Sequence, residues 1–152
     1  MNRSFKKFIL AVPLFAVLIA CNPTDEGSTS DCTPANGAFI ELTTDISGKT
    51  YTVGQTVKLE WKIDRNQIKQ NTSVQIEVSI DNGISWTAMT SPSVEVPSGD
   101  QYQCMSYDWV IGSEGEAVAY ESVNQNCLLW IHEYSNSSNG VKYNDRKFTV
   151  NK

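Results

Sequence analysis

The sequence contains few of the residues that enzymes use most often for acid–base or nucleophilic chemistry. His132 is its only histidine, and a serine or cysteine nucleophile needs such a base beside it. Glu133 follows directly, so in a strand it faces the opposite side. The four cysteines include no CxxC pair, and no phosphate-binding or calcium-binding loop motif is present. We therefore expect that the chain is not an enzyme and that it holds no metal and no cofactor.

Basic residues are also scarce. The chain has 12 Lys and Arg against 17 Asp and Glu. Three of the bases and none of the acids lie in residues 1–20, so the rest of the chain has nine bases, 17 acids and a net charge of −8. An acidic surface repels phosphate backbones. We therefore expect no nucleic-acid partner.

No apolar run is long enough to cross a bilayer as a helix. The longest, residues 8–20, has 13 residues and is interrupted by Pro13, whereas a spanning helix needs about 20. Arg3, Lys6 and Lys7 precede it. A short apolar run with a basic start is typical of a secretory signal peptide.

The end of this run, Leu18-Ile19-Ala20-Cys21, resembles a bacterial lipobox. The resemblance implies a signal peptide over residues 1–20, cleavage before Cys21, and lipid on that cysteine as a diacylglyceryl thioether and an acylated, palmitate-type amine. Several acyl chains anchor a protein firmly to a membrane. Asn22 after the cysteine favours the outer membrane, and the side of the membrane stays open. We expect an exported, lipid-anchored protein of the cell envelope.

Residues 22–37 are rich in Ser, Thr, Pro, Gly, Asn and Asp, with no aliphatic side chain beyond Ala35. Such a segment buries too little apolar surface to fold. The sequence therefore predicts a lipidated flexible tether over residues 21–37 and one domain over residues 38–152.

Three cysteines remain after Cys21. An exported compartment permits disulfides. Cys104 and Cys127 both fall in predicted structure, and we pair them, while Cys32 lies in the tether as the odd cysteine. All three pairings are possible: Cys32 can be free, join a second chain, or displace one of the other two.

The domain has a two-residue hydrophobic period. Val57, Leu59, Trp61 and Ile63 alternate with polar residues, and residues 74–80 do the same. Turn-forming residues separate the runs, including Asn139-Gly140. Strands with one buried face are the expected result. Seven to nine short strands predict an all-β, antiparallel immunoglobulin- or fibronectin-like sandwich.

A family resemblance supports this fold. Five segments resemble, in order, the conserved pieces of small Ig-like modules of bacterial surface proteins and of the Kre9/Knh1-type family of yeast cell-wall proteins; they are residues 47–61, 74–86, 107–110, 127–131 and 144–150. The resemblance implies an Ig-like fold in an extracytoplasmic setting. It brings no catalytic residues. Trp130 stands where these modules usually have Arg, and Asn144 replaces Ser.

Residues 79–86 also fit the Asp-box, S-x-D-x-G-x-x-W, known from sialidases and other propellers. A propeller needs several blades, and this chain has one copy. We interpret the motif as a tight hairpin in which Asp81 accepts hydrogen bonds from turn amides and Gly83 adopts a positive φ. Trp86 packs over this turn as its cap, and Trp61 and Trp109 are expected in the sandwich interior.

The segment 127–134 suggests a binding surface. If Cys127, Leu129 and Ile131 face the core, then Leu128, Trp130, His132 and Tyr134 line the outside, and the Trp, His and Tyr form an exposed row. Large exposed aromatic patches usually mark binding sites, and sugars stack on such rings. The candidate function is an envelope binding module for polysaccharide or a protein partner. If the strand is covered on both faces instead, the alternative is an accessory subunit of an envelope assembly with no small ligand.

Overall fold

The computed structural model describes residues 31–69, 73–89, 93–114, 120, 123–134 and 136–152. Within them are two short 3-10 turns, residues 35–37 and 65–67, and ten strands: β1 (Ile40–Leu42), β2 (Thr50–Thr52), β3 (Thr56–Asp64), β4 (Ser73–Ser79), β5 (Thr87–Ala88), β6 (Val94–Glu95), β7 (Tyr102–Val110), β8 (Val123–Glu133), β9 (Asn136–Lys142) and β10 (Phe148–Asn151).

The strands form two sheets. One has the order β1-β3-β7, and the other has the order β2-β10-β8-β4-β5, with β6 also on β4 and β9 also on β8. All pairs are antiparallel except β2 and β10. The predicted antiparallel sandwich is confirmed. The described residues hold ten strands because two positions in the sheet are each occupied by two short strands. β5 and β6 share the position beside β4, and β9 and β10 share the position beside β8.

The core lies between the sheets and contains two of the four tryptophans. Trp61 is 1% exposed and Trp109 is fully buried, as the two-residue period predicts. The ring of Trp109 meets that of Phe148 edge-on at 5.9 Å. Truncating a buried tryptophan costs about 3–5 kcal/mol, so these two rings account for a large share of the stability of the domain.

One predicted turn is wrong. Asn139-Gly140 lies inside β9, where Gly140 pairs with His132 of β8. A Cβ on Gly140 would lie 2.2 Å from the Cβ of His132. The glycine is therefore required by the close approach of the two strands, a role that glycine has inside strands as well as in turns.

The predicted Cys104–Cys127 disulfide is wrong. Cys104 bonds to Cys32, with their Cα atoms 5.0 Å apart, and Cys127 is a free, buried thiol. The reason is the direction of the side chains. Cys104 lies on the exposed side of β7 opposite Lys62, whereas Cys127 points into the core from the other sheet.

The described part of the predicted tether, residues 31–37, is held against the domain. Besides the disulfide, the Ala35 amide donates to Glu41 Oε2 at 2.8 Å, and Lys62 Nζ donates to the Thr33 carbonyl at 3.4 Å. Pro34 is buried. The prediction of a flexible spacer is therefore wrong for these residues. Side chains of the three-stranded sheet form hydrogen bonds with their backbone groups, and the composition of the segment does not reveal these partners.

The predicted signal peptide, Cys21 and tether residues 22–30 lie outside the described residues. Across the part of the chain that the structure covers, no helix has the length and apolar character needed to cross a membrane.

Candidate binding face

The two faces of β8 follow the predicted phase. Cys127, Leu129 and Ile131 are fully buried in the core. Trp130, His132 and Tyr134 lie on the opposite side, the outer face of the seven-stranded sheet. Their exposure is unequal: Trp130 is half-buried, His132 is 5% exposed and Tyr134 is 44% exposed. Trp130 and His132 belong to β8, whereas Tyr134 follows its last residue. The predicted exposure is wrong for His132 and for Leu128, which is 2% exposed.

The ring of His132 makes a hydrogen bond through one nitrogen, and its other nitrogen lies near a carboxylate without making a hydrogen bond. Its Nδ1 lies 2.9 Å from the Glu133 carbonyl oxygen, and its Nε2 lies 3.4 Å from Oε1 of Glu77 on β4. A carbonyl can only accept, so Nδ1 carries a proton in this geometry. These contacts orient the ring next to Trp130, with the two ring centroids 4.4 Å apart. His132 therefore packs beside Trp130 on the same face of β8.

Trp130 is the centre of a cluster drawn from four parts of the chain. It pairs with Glu77 of β4 on one side and with Lys142 of β9 on the other. The ammonium of Lys142 lies 4.1 Å from the centroid of its ring, a cation–π distance. Trp86 meets Trp130 edge-on at 5.5 Å. These neighbours on β4, on β9 and in the segment around Trp86 account for the partial burial of Trp130.

The Asp-box turn, residues 79–86, places Trp86. The Asp81 carboxylate accepts from the Ile84 amide at 3.1 Å and from the Ser85 amide at 2.9 Å. Ser79 Oγ donates to Asp81 Oδ1 at 2.7 Å and accepts from the Gly83 amide at 2.8 Å. The expected hairpin is present, with φ of 88° at Gly83. This network fixes the turn against β8, so that Trp86 forms a rigid wall beside Trp130.

Hydrogen bonds from the Ser85 hydroxyl and amide, and from the Ser79 hydroxyl, lower the pKa of Asp81 to about 2. The carboxylate therefore stays ionised at any ordinary pH. The turn keeps its shape at every pH at which Asp81 is ionised.

Glu77, Trp86 and Lys142 belong to this site, and sequence reasoning missed all three as site residues. Trp86 was assigned to the hairpin cap, which is where it lies. The contacts of Trp86 and Lys142 with Trp130 depend on the register of the strands. The two-residue hydrophobic period does not reveal that register. Part of the site could have been suspected from the sequence. Glu77 and Lys142 are each the charged residue of a segment that has one polar face. Within the described residues, no group of His, Cys, Asp and Glu could hold a metal ion.

No family model matches the chain, and no curated protein does. A solved structure to which it is similar is the β-glucosidase from Listeria innocua in complex with glucose. The two are 11% identical with a TM-score of 0.43, and the match covers 74% of this chain and 16% of that one.

This likeness contradicts the expectation that the chain is not an enzyme, because the similar structure is that of an enzyme. The exclusion is therefore withdrawn. The same likeness, at a TM-score of 0.43, does not establish an enzymatic activity for this chain.

Proposed function

We propose that this chain is a lipid-anchored protein of the bacterial cell envelope, at the outer membrane, whose sandwich binds polysaccharide through the cluster around Trp130. The lipobox-like residues before Cys21 support export and lipid attachment. The Cys32–Cys104 disulfide supports the same compartment, since disulfides persist mainly outside the cytoplasm.

One observation carries the binding function: a half-buried indole that has both a carboxylate and an ammonium as its cross-strand neighbours. Lys142 is exposed, and an exposed cation–π contact contributes only about 0.5–1 kcal/mol. Its side chain can therefore swing away from Trp130 at little cost. The uncovered ring would stack against the C–H face of a sugar, while Lys142 and Glu77 bind the hydroxyl groups at its edge.

The binding function is tested by retention on insoluble cell-wall and plant polysaccharides. We expect the wild-type chain in detergent to be retained on one of them and Trp130→Ala to be lost. Tyr102→Ala is the matched control, because Tyr102 is a 38% exposed aromatic residue on the other sheet. Circular dichroism melts establish that both variants are folded. A milder Trp130→Phe variant, which keeps a stacking ring, should retain part of the binding.

Equal retention of wild type and Trp130→Ala would show that the cluster around Trp130 is not the binding site. If neither protein is retained on any polysaccharide, polysaccharide is not the ligand, and the accessory-subunit role in an envelope assembly is favoured. Chemical cross-linking in intact cells would then test that role.

The anchor is tested separately. Cys21→Ser should abolish incorporation of labelled palmitate into the protein. A serine variant that still incorporates the label would contradict lipid attachment at Cys21.

A further inference from the structure

A polar cleft of about 430 Å³ lies between the Asp-box turn and the first residues of β8. It is lined by amide side chains and a few aliphatic ones: Asn82, Asn124, Gln125, Asn126, Ile80 and Val123, with Asp81 beside them. The amides come from two places, the tip of the turn and the first residues of β8. The cleft lies outside the cluster around Trp130.

A β-bulge directs two of these amides into the cleft. Cys127 pairs with Phe148 and Asn124 pairs with Val150, so Gln125 and Asn126 together face the single residue Thr149. Both are exposed, although neighbours in a regular strand point to opposite sides. Bulges re-aim side chains and are frequent beside functional sites.

The third amide is held by the turn. Asn82 has a φ of 62°, a left-handed conformation that costs free energy for residues other than glycine. The hydrogen bonds of Asp81 to Ile84 and Ser85 keep the turn in this shape. Two irregular backbone features therefore converge on one cleft. A group fixed before binding loses little entropy on binding.

The lining selects a chemical class of ligand. Amide groups both donate and accept hydrogen bonds, which suits neighbouring hydroxyl groups, and Val123, 48% exposed, offers an apolar surface. Among the described residues, no basic side chain lines the cleft, although Lys147 Nζ lies 3.5 Å from Asn126 Oδ1. The ionised Asp81 disfavours anions. We propose that this cleft binds a neutral sugar unit.

The cleft and the Trp130 cluster share the Asp-box turn as a wall. A Cβ on Gly83 would lie 3.4 Å from Leu128 Cδ1 and 3.6 Å from Trp86 Cζ2. Asn126 and Trp130 are four residues apart on β8, roughly 13 Å at 3.3 Å per residue. A saccharide chain crossing the turn would contact both. The inference rests on the proposed function for its ligand class and adds a second, neutral subsite.

The test follows side-chain NH₂ resonances by NMR, with the full mature chain in detergent micelles. The probes are cellohexaose, mannohexaose and xylohexaose, with hexagalacturonate as the acidic counterpart. We expect one neutral probe to shift the resonances of Asn82, Gln125 and Asn126. The double variant Gln125→Ala, Asn126→Ala should bind about tenfold more weakly, the loss expected for two hydrogen bonds. Asn66→Ala, an exposed amide elsewhere, should not change the affinity.

Absence of shifts at these amides with every neutral probe, or a preference for hexagalacturonate, would overturn the inference. Shifts confined to the indole N–H groups of Trp86 and Trp130 would also overturn it, while leaving the proposed function intact. Shifts at the amides that persist in Trp130→Ala would support the cleft even if the Trp130 cluster failed its own test.

Discussion

At the scale of single residues, Cys127 shows how burial decides chemistry. The thiol is fully buried and donates to the Asn124 carbonyl at 3.3 Å. Burial raises its pKa to about 11. The thiolate is the reactive form of cysteine, so at neutral pH this thiol is inert as well as inaccessible.

We predict that Cys127 resists labelling in the native protein. Below pH 9, a thiol reagent such as dithiobis-nitrobenzoate should find no reactive group on the unreduced mature chain, and peptide mapping after addition of guanidinium should place the new label on Cys127. Fast labelling of the native protein would contradict the burial of this side chain.

Asp81 has the opposite shift. Its pKa falls to about 2 from an ordinary 3.8 because Ser85 and Ser79 donate to the ionised form. A lowered pKa in the folded state contributes stability that is present above the unfolded value and disappears as the pH falls through the folded value. The relevant window is therefore pH 4 to pH 2.

We predict that Asp81→Ala lowers the midpoint of urea unfolding by a constant amount above pH 4, and that the difference from wild type shrinks between pH 4 and pH 2. Asp100→Ala, an exposed loop carboxylate, serves as the control. A difference that does not depend on pH in this window would mean that the charge of Asp81 does not hold the turn.

At the scale of elements, the pairing of β8 with β9 decides the shape of the candidate site. Lys142 covers Trp130 only because β9 lies close enough to β8, and the side-chain-free Gly140 permits that approach. Asn139-Gly140 is a sequence pattern typical of turns, so local chemistry alone gave the wrong answer here. The deciding contact, with His132, is set by tertiary pairing.

We predict that Gly140→Ala lowers the free energy of unfolding by about 1–3 kcal/mol, the usual cost of forcing extra volume into a packed contact. It should also change the tryptophan fluorescence, because β9 must move and carry Lys142 off the Trp130 ring. Ser138→Ala, an exposed position in the same strand, should leave both signals unchanged. A Gly140→Ala melt that matches wild type would disprove the close contact.

At the scale of the whole molecule, the sandwich could be predicted because alternation in β3 and β4 specifies one buried face for each strand. The arrangement of the parts could not. Cys104 and Cys127 both lie in strands, but their pairing depends on which sheet and which face each occupies. Trp86 and Lys142 converge on Trp130 from separate strands, and no local pattern encodes that convergence.

The Cys32–Cys104 disulfide joins the N-terminal segment to the outer face of the three-stranded sheet, whereas Trp130 lies on the outer face of the other sheet. The first described residues therefore lie on the face of the sandwich opposite the candidate site.

We predict that Cys32→Ser lowers the free energy of unfolding by about 2–4 kcal/mol, since the disulfide closes a long loop with a sequence separation of 72 residues. Urea unfolding with and without reductant measures it: reductant should destabilise wild type and leave Cys32→Ser unchanged. A Cys32→Ser protein as stable as wild type would favour another pairing.

The same disulfide determines how the fold would carry a mechanical load. When the chain is held at its N-terminal side and a ligand pulls on Trp130, the force enters β7 through Cys104 and leaves through β8. Residues 33–103 lie inside the covalent loop, so their unravelling would add no length to the loaded chain. Strands β1 to β6 are thereby shielded from tension, and only the segment from Cys104 to Trp130 could extend under a pull.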